Sequence, residues 1–250
     1  MPLQIDVISI FPEMFAPVLR LGMPGRAIAK GLASLHVTDL REFATDKHRS
    51  TDDAPYGGGS GMVMLIEPVV RALAGIEALR GRGRRILLTP AGRPLLQSHV
   101  RTLAKEPHLV LLCGRYEGMD ERISHYIDEE VSIGDFILSG GELPAMTLID
   151  AVTRLIPGVL NNENSYEEES FQHGLLEYPQ FTRPADFDGH VVPSVLLSGN
   201  HEQIRRWRRQ KALLRTRDRR PELFERLSLT DEDRALLARP DASEPSEATQ

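Results

Sequence analysis

Short, nearly continuous apolar runs recur along the first 160 residues of the chain. Three of them end near glycine or proline, which bound the runs. Such runs are typical of parallel strands that are covered on both faces. The four predicted strands span residues 4–10, 35–40, 85–89 and 109–113.

Two longer segments have the periodicity of helices instead. Residues 67–80 place Val69, Leu73 and Ile76 on one side, whereas residues 143–156 are apolar along most of their length. Strands that alternate with helices indicate the α/β class, here with a mostly parallel sheet flanked by helices.

The character of the chain changes after Pro157. Residues 161–170 read NNENSYEEES and carry no apolar period, which is typical of a mobile connection. Strand signals fade beyond it. The predicted organisation is a domain at 1–160, a mobile linker at 161–175, a small helical domain at 176–240 and a disordered tail at 241–250.

Three helices are predicted in the second domain. One begins near Pro221, since proline suits a first helical turn, and one follows Thr230, which has the spacing of a capping box. The longest spans residues 201–214. Its predicted apolar face consists of Ile204, Trp207, Lys211 and Leu214.

Basic side chains concentrate in one segment of an acidic chain. The formal net charge is −6, yet nine lysines and arginines lie between residues 205 and 220 against Asp218 alone. Clustered charge attracts nucleic-acid phosphates more than net charge does. A solvated charged face is the alternative, and we prefer phosphate contact.

Composition excludes several classes of protein. No run of 18 apolar residues exists, and the N-terminal MPLQIDVISIFPEMF lacks the basic start of a signal peptide, so we expect a cytoplasmic protein without a membrane span. Cys113 is the single cysteine, which excludes an internal disulfide and a cysteine-based metal site.

Three glycine-rich segments are candidates for a binding site, at residues 55–61, 113–118 and 133–144. None matches a Walker A loop or a dinucleotide fingerprint, which disfavours a nucleotide-dependent oxidoreductase. Each could be a tight turn. However, two of the segments lie at or near the carboxyl ends of predicted strands, where open α/β sheets bind ligands such as an adenosine.

The sequence resembles the bacterial tRNA (guanine-N1)-methyltransferases of the trefoil-knot (SPOUT) superfamily over roughly residues 1–237. The matching stretches are DDAPYGGGSGM, LLTPAGR, LLCGRYEGMDER, SIGDFILSGGELPAMTLIDAVTRLIPGVL, GLLEYPQFTRP and VPSVLLSGNHEQIRRWRRQKALLRTRDRRPEL. The resemblance implies a trefoil-knotted first domain that binds S-adenosylmethionine, and a homodimer that shares its tRNA site between subunits. Mg2+ is a further possible requirement, although no metal-ligand cluster is evident in the sequence.

The resemblance also implies which residues bind S-adenosylmethionine. Glu117 has an alternative role, as the cap of a helix beginning near Asp120. The predicted cofactor-site residues are Leu88, Thr89, Pro90, Gly114, Tyr116, Glu117, Gly118, Ile133, Gly134, Asp135, Phe136, Ile137, Leu138, Gly140, Gly141 and Pro144.

Methylation of guanine N1 needs a base to remove the N1 proton and a cation to stabilise charge on O6. The resemblance implies Glu169 as the base, at a position where the family commonly has aspartate, with Glu168 as a competing candidate. It implies Arg154 as the cation. Arg154 could also form a structural ion pair with Asp150, four residues earlier on the predicted helix.

The implied tRNA contacts lie mostly in the second domain. Two rivals remain: a related enzyme that methylates a ribose 2′-hydroxyl, and a non-catalytic RNA-binding relic that no longer binds S-adenosylmethionine. The candidate tRNA-binding residues are Gly59, Ser165, Arg183, Asn200, His201, Arg205, Arg206, Arg208 and Arg209.

Overall fold

A computed structural model describes residues 2–160, 169–171 and 173–239. Contacts between Cα atoms divide the chain into two compact units, Met1–Glu163 and Asn164–Gln250. Residues 161–168 of the predicted linker and the whole predicted tail at 241–250 lie outside the described residues.

A five-stranded, wholly parallel sheet forms the centre of the first unit, in the order β2-β1-β6-β5-β7. The four predicted strands are confirmed, whereas β7 was not predicted. A two-stranded antiparallel ribbon, β3-β4, stands apart from the sheet. The strands are β1 (Leu3–Ser9), β2 (Ala33–Asp39), β3 (Asp52–Asp53), β4 (Val63–Met64), β5 (Arg84–Pro94), β6 (His108–Cys113) and β7 (Glu129–Ser132).

Two hydrophobic clusters cover the two faces of this sheet. All six residues of β6 are buried, and alternate ones belong to different clusters: Leu111 to the first and Leu112 to the second. The first cluster includes Leu148 of α5, and the second includes Leu73 of α3. This explains why the core strands have continuous apolar runs. The helices are α1 (Ala16–Arg20), α2 (Gly22–Ala29), α3 (Ile66–Arg80), α4 (Gln97–Leu103) and α5 (Glu142–Thr153).

The second unit is mostly helical. Helices begin at Pro221 and after Thr230 as predicted, but the long helix α7 continues to Arg219. The buried face of α7 includes Trp207, Gln210 and Leu213. Leu214, which was predicted on this face, is only half-buried. The elements are β8 (Asp186–Phe187), β9 (His190–Val191), α6 (Ser194–Leu197), α7 (His201–Arg219), α8 (Pro221–Phe224) and α9 (Asp231–Leu237).

Asp233 joins α9 to α7. Thr230 and Asp233 form a capping box, in which the Thr230 hydroxyl accepts from the Asp233 N–H and the Asp233 carboxylate accepts from the Thr230 N–H. Arg209 of α7 donates to both oxygens of the same carboxylate, at 2.8 and 3.0 Å. The hydrogen bond from Arg209 lowers the pKa of Asp233 from 3.8 to about 2.

Truncating the centre of the sheet will destabilise the first unit. We expect Leu111→Ala to lower the free energy of unfolding by about 2–5 kcal/mol, because this fully buried side chain leaves a cavity. Leu79→Ala is the control, since Leu79 is 75% exposed, and its cost should stay below about 0.5 kcal/mol. Urea denaturation followed by circular dichroism measures both; equal effects would contradict the assigned core.

The stability that Asp233 supplies will depend on pH. Because folding lowers its pKa, its contribution is complete above the unfolded value of 3.8 and is lost as the pH falls towards about 2. We expect Asp233→Asn to cost about 2 kcal/mol at pH 7 and progressively less below pH ~4. Denaturation followed by Trp207 fluorescence reports on this unit.

The control for Asp233 is Asp231→Asn on the same helix, because Asp231 is fully exposed and its ion pair with Arg234 lies in water. A difference between wild type and Asp233→Asn that stays constant from pH 7 to 3 would show that the carboxylate does not act through its charge.

Candidate active site

A cavity of about 280 Å³ opens in the first unit at the carboxyl ends of β6 and β7, beside residues 87–90 in the middle of β5. It is bordered by the segments that follow β6 and β7. Every predicted cofactor-site residue except Asp135 lines it: Leu88, Thr89, Pro90, Gly114, Tyr116, Glu117, Gly118, Ile133, Gly134, Phe136, Ile137, Leu138, Gly140, Gly141 and Pro144.

Asp135 is the exception among the predicted cofactor-site residues, because it does not line the cavity. The Phe136 N–H donates to the Gly134 carbonyl at 3.0 Å, which closes a tight turn with Asp135 at its tip. Asp135 is therefore exposed, while Phe136 faces the cavity. Side chains missed by the sequence analysis also line it: Leu87, Arg115, Met119, Val131, Ser132 and Ser139.

Two of the cavity walls touch through their backbones. The Gly141 N–H donates to the Gly114 carbonyl at 2.8 Å. A Cβ atom on Gly141 would lie 2.7 Å from the Cα of Cys113, closer than real side chains come. The glycine is therefore required by the contact between the two segments, rather than by an unusual φ at a turn.

The ribbon β3-β4 and the glycine-rich loop between its strands contact the 113–118 wall without lining the cavity themselves. The Glu117 N–H donates to the Met62 carbonyl at 3.0 Å, and the Met64 N–H donates to the Gly118 carbonyl at 2.9 Å. A Cβ atom on Gly61 would lie 2.4 Å from the Glu117 carboxylate. Gly59, a candidate tRNA contact, lies in the same loop with nothing within 4 Å of a Cβ atom there.

Tyr116 and Glu117 are two side chains of the 113–118 segment whose roles the structure clarifies. Burial and the nearby Asp52 carboxylate raise the pKa of the Tyr116 hydroxyl. Glu117 was given an alternative role as a helix cap, which is wrong. The short 3-10 helix Glu121–His125 is capped by Asp120, whose carboxylate accepts from the Arg122 N–H at 3.0 Å.

The two predicted catalytic residues belong to different units. Arg154 is the C-terminal cap of α5, and its N–H donates to the Asp150 carbonyl at 3.2 Å. Glu169 is a half-buried residue of the second unit. The competing base Glu168 and the candidate tRNA contact Ser165 lie outside the described residues.

Glu169 lines a cavity of about 550 Å³ within the second unit. The structure therefore brings the predicted base into one cavity with four candidate tRNA contacts: His201, Arg205, Arg208 and Arg209. Arg183 instead lines a separate groove that contains Trp207. Asn200 caps α7, where its side chain accepts from the Gln203 N–H at 3.1 Å.

The basic segment is less free than its sequence suggests. Arg205 pairs with Glu202 at 3.1 Å and with Glu232 at 2.9 Å, and Arg206 pairs with Glu202 at 2.8 Å. These partners, Glu202 and Glu232, lie outside the basic segment at 205–220. The phosphate-binding field of α7 is consequently weaker than nine cations against one acid implied.

The remaining chemistry of the described residues is limited. Burial raises the pKa of the Cys113 thiol well above 9.0, so it stays protonated and is a poor nucleophile. Among residues 2–160, 169–171 and 173–239, no group of three or more histidine, cysteine, aspartate or glutamate side chains could hold a metal ion. No helix in these ranges is both long and apolar enough to cross a membrane.

Comparison with known proteins connects this geometry to a family. A model of the family described as tRNA (Guanine-1)-methyltransferase TrmD matches residues 3–226. A protein of Syntrophotalea carbinolica named tRNA (guanine-N(1)-)-methyltransferase is 55% identical over 232 residues, which are 93% of this chain and 94% of the relative. A protein of the same name from Dictyoglomus turgidum is 53% identical over 235 residues, which are 94% of this chain and 95% of that relative.

A solved structure has the same fold. The crystal structure of tRNA (m1G37) methyltransferase from Aquifex aeolicus matches with a TM-score of 0.75 and 38% identity, over 88% of this chain and 94% of that one. The residues that match the family model, 3–226, include the sheet and every residue that lines the glycine-walled cavity. The chain belongs to the TrmD family of tRNA (guanine-1)-methyltransferases.

Proposed function

We propose that this protein transfers a methyl group from S-adenosylmethionine to N1 of guanine 37, next to the anticodon of tRNA. The observation that carries the proposal is the glycine-walled cavity at the strand ends, because it gathers nearly all of the residues that the family resemblance implied. Relatives named tRNA (guanine-N(1)-)-methyltransferase over almost the whole chain support the reaction, and the Aquifex protein supports position 37.

The cavity suits the methyl donor. Its volume of about 280 Å³ is close to that of small-ligand sites, and Cβ atoms on Gly140 or Gly141 would crowd its walls. Glu117 supplies a carboxylate that complements a positive charge. When bound, S-adenosylmethionine supplies an electrophilic methyl group on a sulfonium. Leu88, Gly114 and Leu138 would hold its adenosine through backbone groups and apolar contact.

Two side chains would activate the guanine. The neutral N1 cannot attack until its proton leaves, and Glu169 takes that proton, with Glu168 as the competing base. Negative charge then develops on O6, where Arg154 stabilises it. The proposed base and the proposed cation belong to different units.

The helical unit would bind the tRNA. The base at Glu169 and the basic residues His201 and Arg208 line one cavity, which supports an RNA site at this place. A phosphate could replace Glu202 as the partner of Arg205 or Arg206. Gly59, Ser165, Arg183 and Asn200 are weaker candidates. The homodimer, the trefoil knot, the cytoplasmic location and the Mg2+ requirement stay predictions from the resemblance.

The reaction is tested with an unmodified tRNA transcript that carries guanine at positions 36 and 37. We expect mass spectrometry of the digested RNA to detect 1-methylguanosine, and no product when adenine replaces guanine 37. Glu169→Ala should lower kcat by about 10²–10⁴-fold through loss of the base, whereas Glu169→Asp should retain activity.

Glu225→Ala is the matched control for this assay, because Glu225 is an exposed acid of the same unit. A 2′-O-methyl nucleoside would show instead that the protein methylates a ribose 2′-hydroxyl, as the rival enzyme of the superfamily does. A protein that binds tRNA, but neither methylates it nor binds S-adenosylmethionine, would be an RNA-binding relic.

The cofactor cavity is tested by Gly141→Ala. The φ of Gly141 is −79°, which suits alanine, so the variant reports only the collision with the backbone of Cys113. We expect the Kd for S-adenosylmethionine to rise at least about tenfold by calorimetry. Leu79→Ala is the control, since Leu79 is 75% exposed and does not line the cavity, and equal affinity losses in both variants would argue against this cavity.

A further inference from the structure

The first unit buries a carboxylate that the proposed chemistry does not use. Glu142 is the first residue of α5 and is only 1% exposed, although it does not line the cavity. A charged group is costly to remove from water unless it is paired and hydrogen-bonded. The partners of Glu142 therefore indicate what it does.

Glu142 binds one residue from each of two neighbouring segments. The Ser9 hydroxyl, at the carboxyl end of β1, donates to Oε1 at 2.8 Å. The Arg115 Nε–H, in the cavity wall at 113–118, donates to Oε2 at 2.9 Å. The position of the carboxylate in the first turn of α5 adds a favourable interaction with the helix dipole.

Phe11 closes this set of contacts. Its N–H donates to the Ser9 Oγ at 2.9 Å, and its ring lies 4.5 Å below the Arg115 guanidinium. Arg115 is thus held by the carboxylate and the ring together. Its backbone also bridges to Gly140 across the two cavity walls. A Cβ atom on Gly140 would lie 2.3 Å from the Arg115 Nε, so there is no room for a larger residue at this position.

We propose that Glu142 is a positioning residue of the methyl-donor cavity. By binding Arg115 on one side and Ser9 on the other, it fixes the 113–118 wall against the start of α5 and the end of β1. The inference rests on the proposed function, because it assigns Glu142 to that same cavity without contact to the donor.

Glu142→Gln separates charge from shape. Glutamine keeps the length and one carbonyl oxygen, but its NH2 group cannot accept from either Ser9 or Arg115. The NH2 group can instead donate to the Ser9 hydroxyl oxygen while the carbonyl oxygen accepts from Arg115, so the variant removes the ion pair and keeps the shape of the contacts. Arg115, which is only 16% exposed on its side chain, is left without its buried counter-charge.

Asp6 provides a matched control within the same unit. It is 0% exposed, accepts two hydrogen bonds from Arg80 at 2.6 and 3.0 Å, and contacts the His108 ring at 2.8 Å. It does not line the cavity. Asp6→Asn thus removes an equally buried, arginine-paired charge and reports how much any such loss weakens the fold.

Calorimetric titration of S-adenosylmethionine into the full-length variants tests the proposal, with steady-state kinetics alongside. We expect Glu142→Gln to raise the Kd and KM for the donor about tenfold, with kcat and the KM for tRNA within about threefold of wild type. Ser9→Ala should raise the same Kd about threefold. Asp6→Asn should leave it within about twofold despite a lower Tm.

The outcomes separate the two proposals. Wild-type protein that binds no S-adenosylmethionine would overturn the proposed function and this inference together. Wild-type binding with an unchanged Kd in Glu142→Gln, or an equal loss in Asp6→Asn, overturns the positioning role alone. If Glu142→Gln does not fold, Ser9→Ala decides, since an unchanged Kd there removes the proposal.

Discussion

The backbone contact between Gly114 and Gly141 is the constraint on which the first unit depends. β6 lies in the middle of the sheet, and α5 packs against it through the same hydrophobic cluster. This packing brings the carboxyl end of β6 close to the first residues of α5. They can meet at hydrogen-bonding distance only because no Cβ atom intervenes. The cavity walls, the buried Glu142 and the bridge from Arg115 to Gly140 all follow from this approach.

Much of the central sheet could be predicted from the sequence, because β6 and its neighbours are buried on both faces and contain few polar interruptions. β7 could not be predicted in this way. β7 is an edge strand that begins with Glu129, whose carboxylate pairs with Arg84 and His99. The sequence of β7 therefore lacks the continuous apolar run that identified the other strands. The short helix α2 was also missed, since proline and glycine interrupt it.

The site residues were predicted through family resemblance, which does not reveal every contact that forms the cavity. The position of Asp135 depends on a tight turn that a motif does not reveal. The contact of Ser9 with Glu142 joins residues 133 apart in the chain, and no local pattern can pair them. The acids that face α7, such as Glu232, lie outside the window in which charges were counted.

The ion pairs on α7 change how this surface should respond to salt. Glu202 and Glu232 already stand where a phosphate would bind Arg205. These acids act as counterions that the protein carries with it. A phosphate that binds Arg205 would then displace one of these glutamates, and the freed carboxylate would offset part of the cation release that drives binding to nucleic acid. The basic helix would therefore discriminate by geometry, admitting only a phosphate that fits better than its own glutamates.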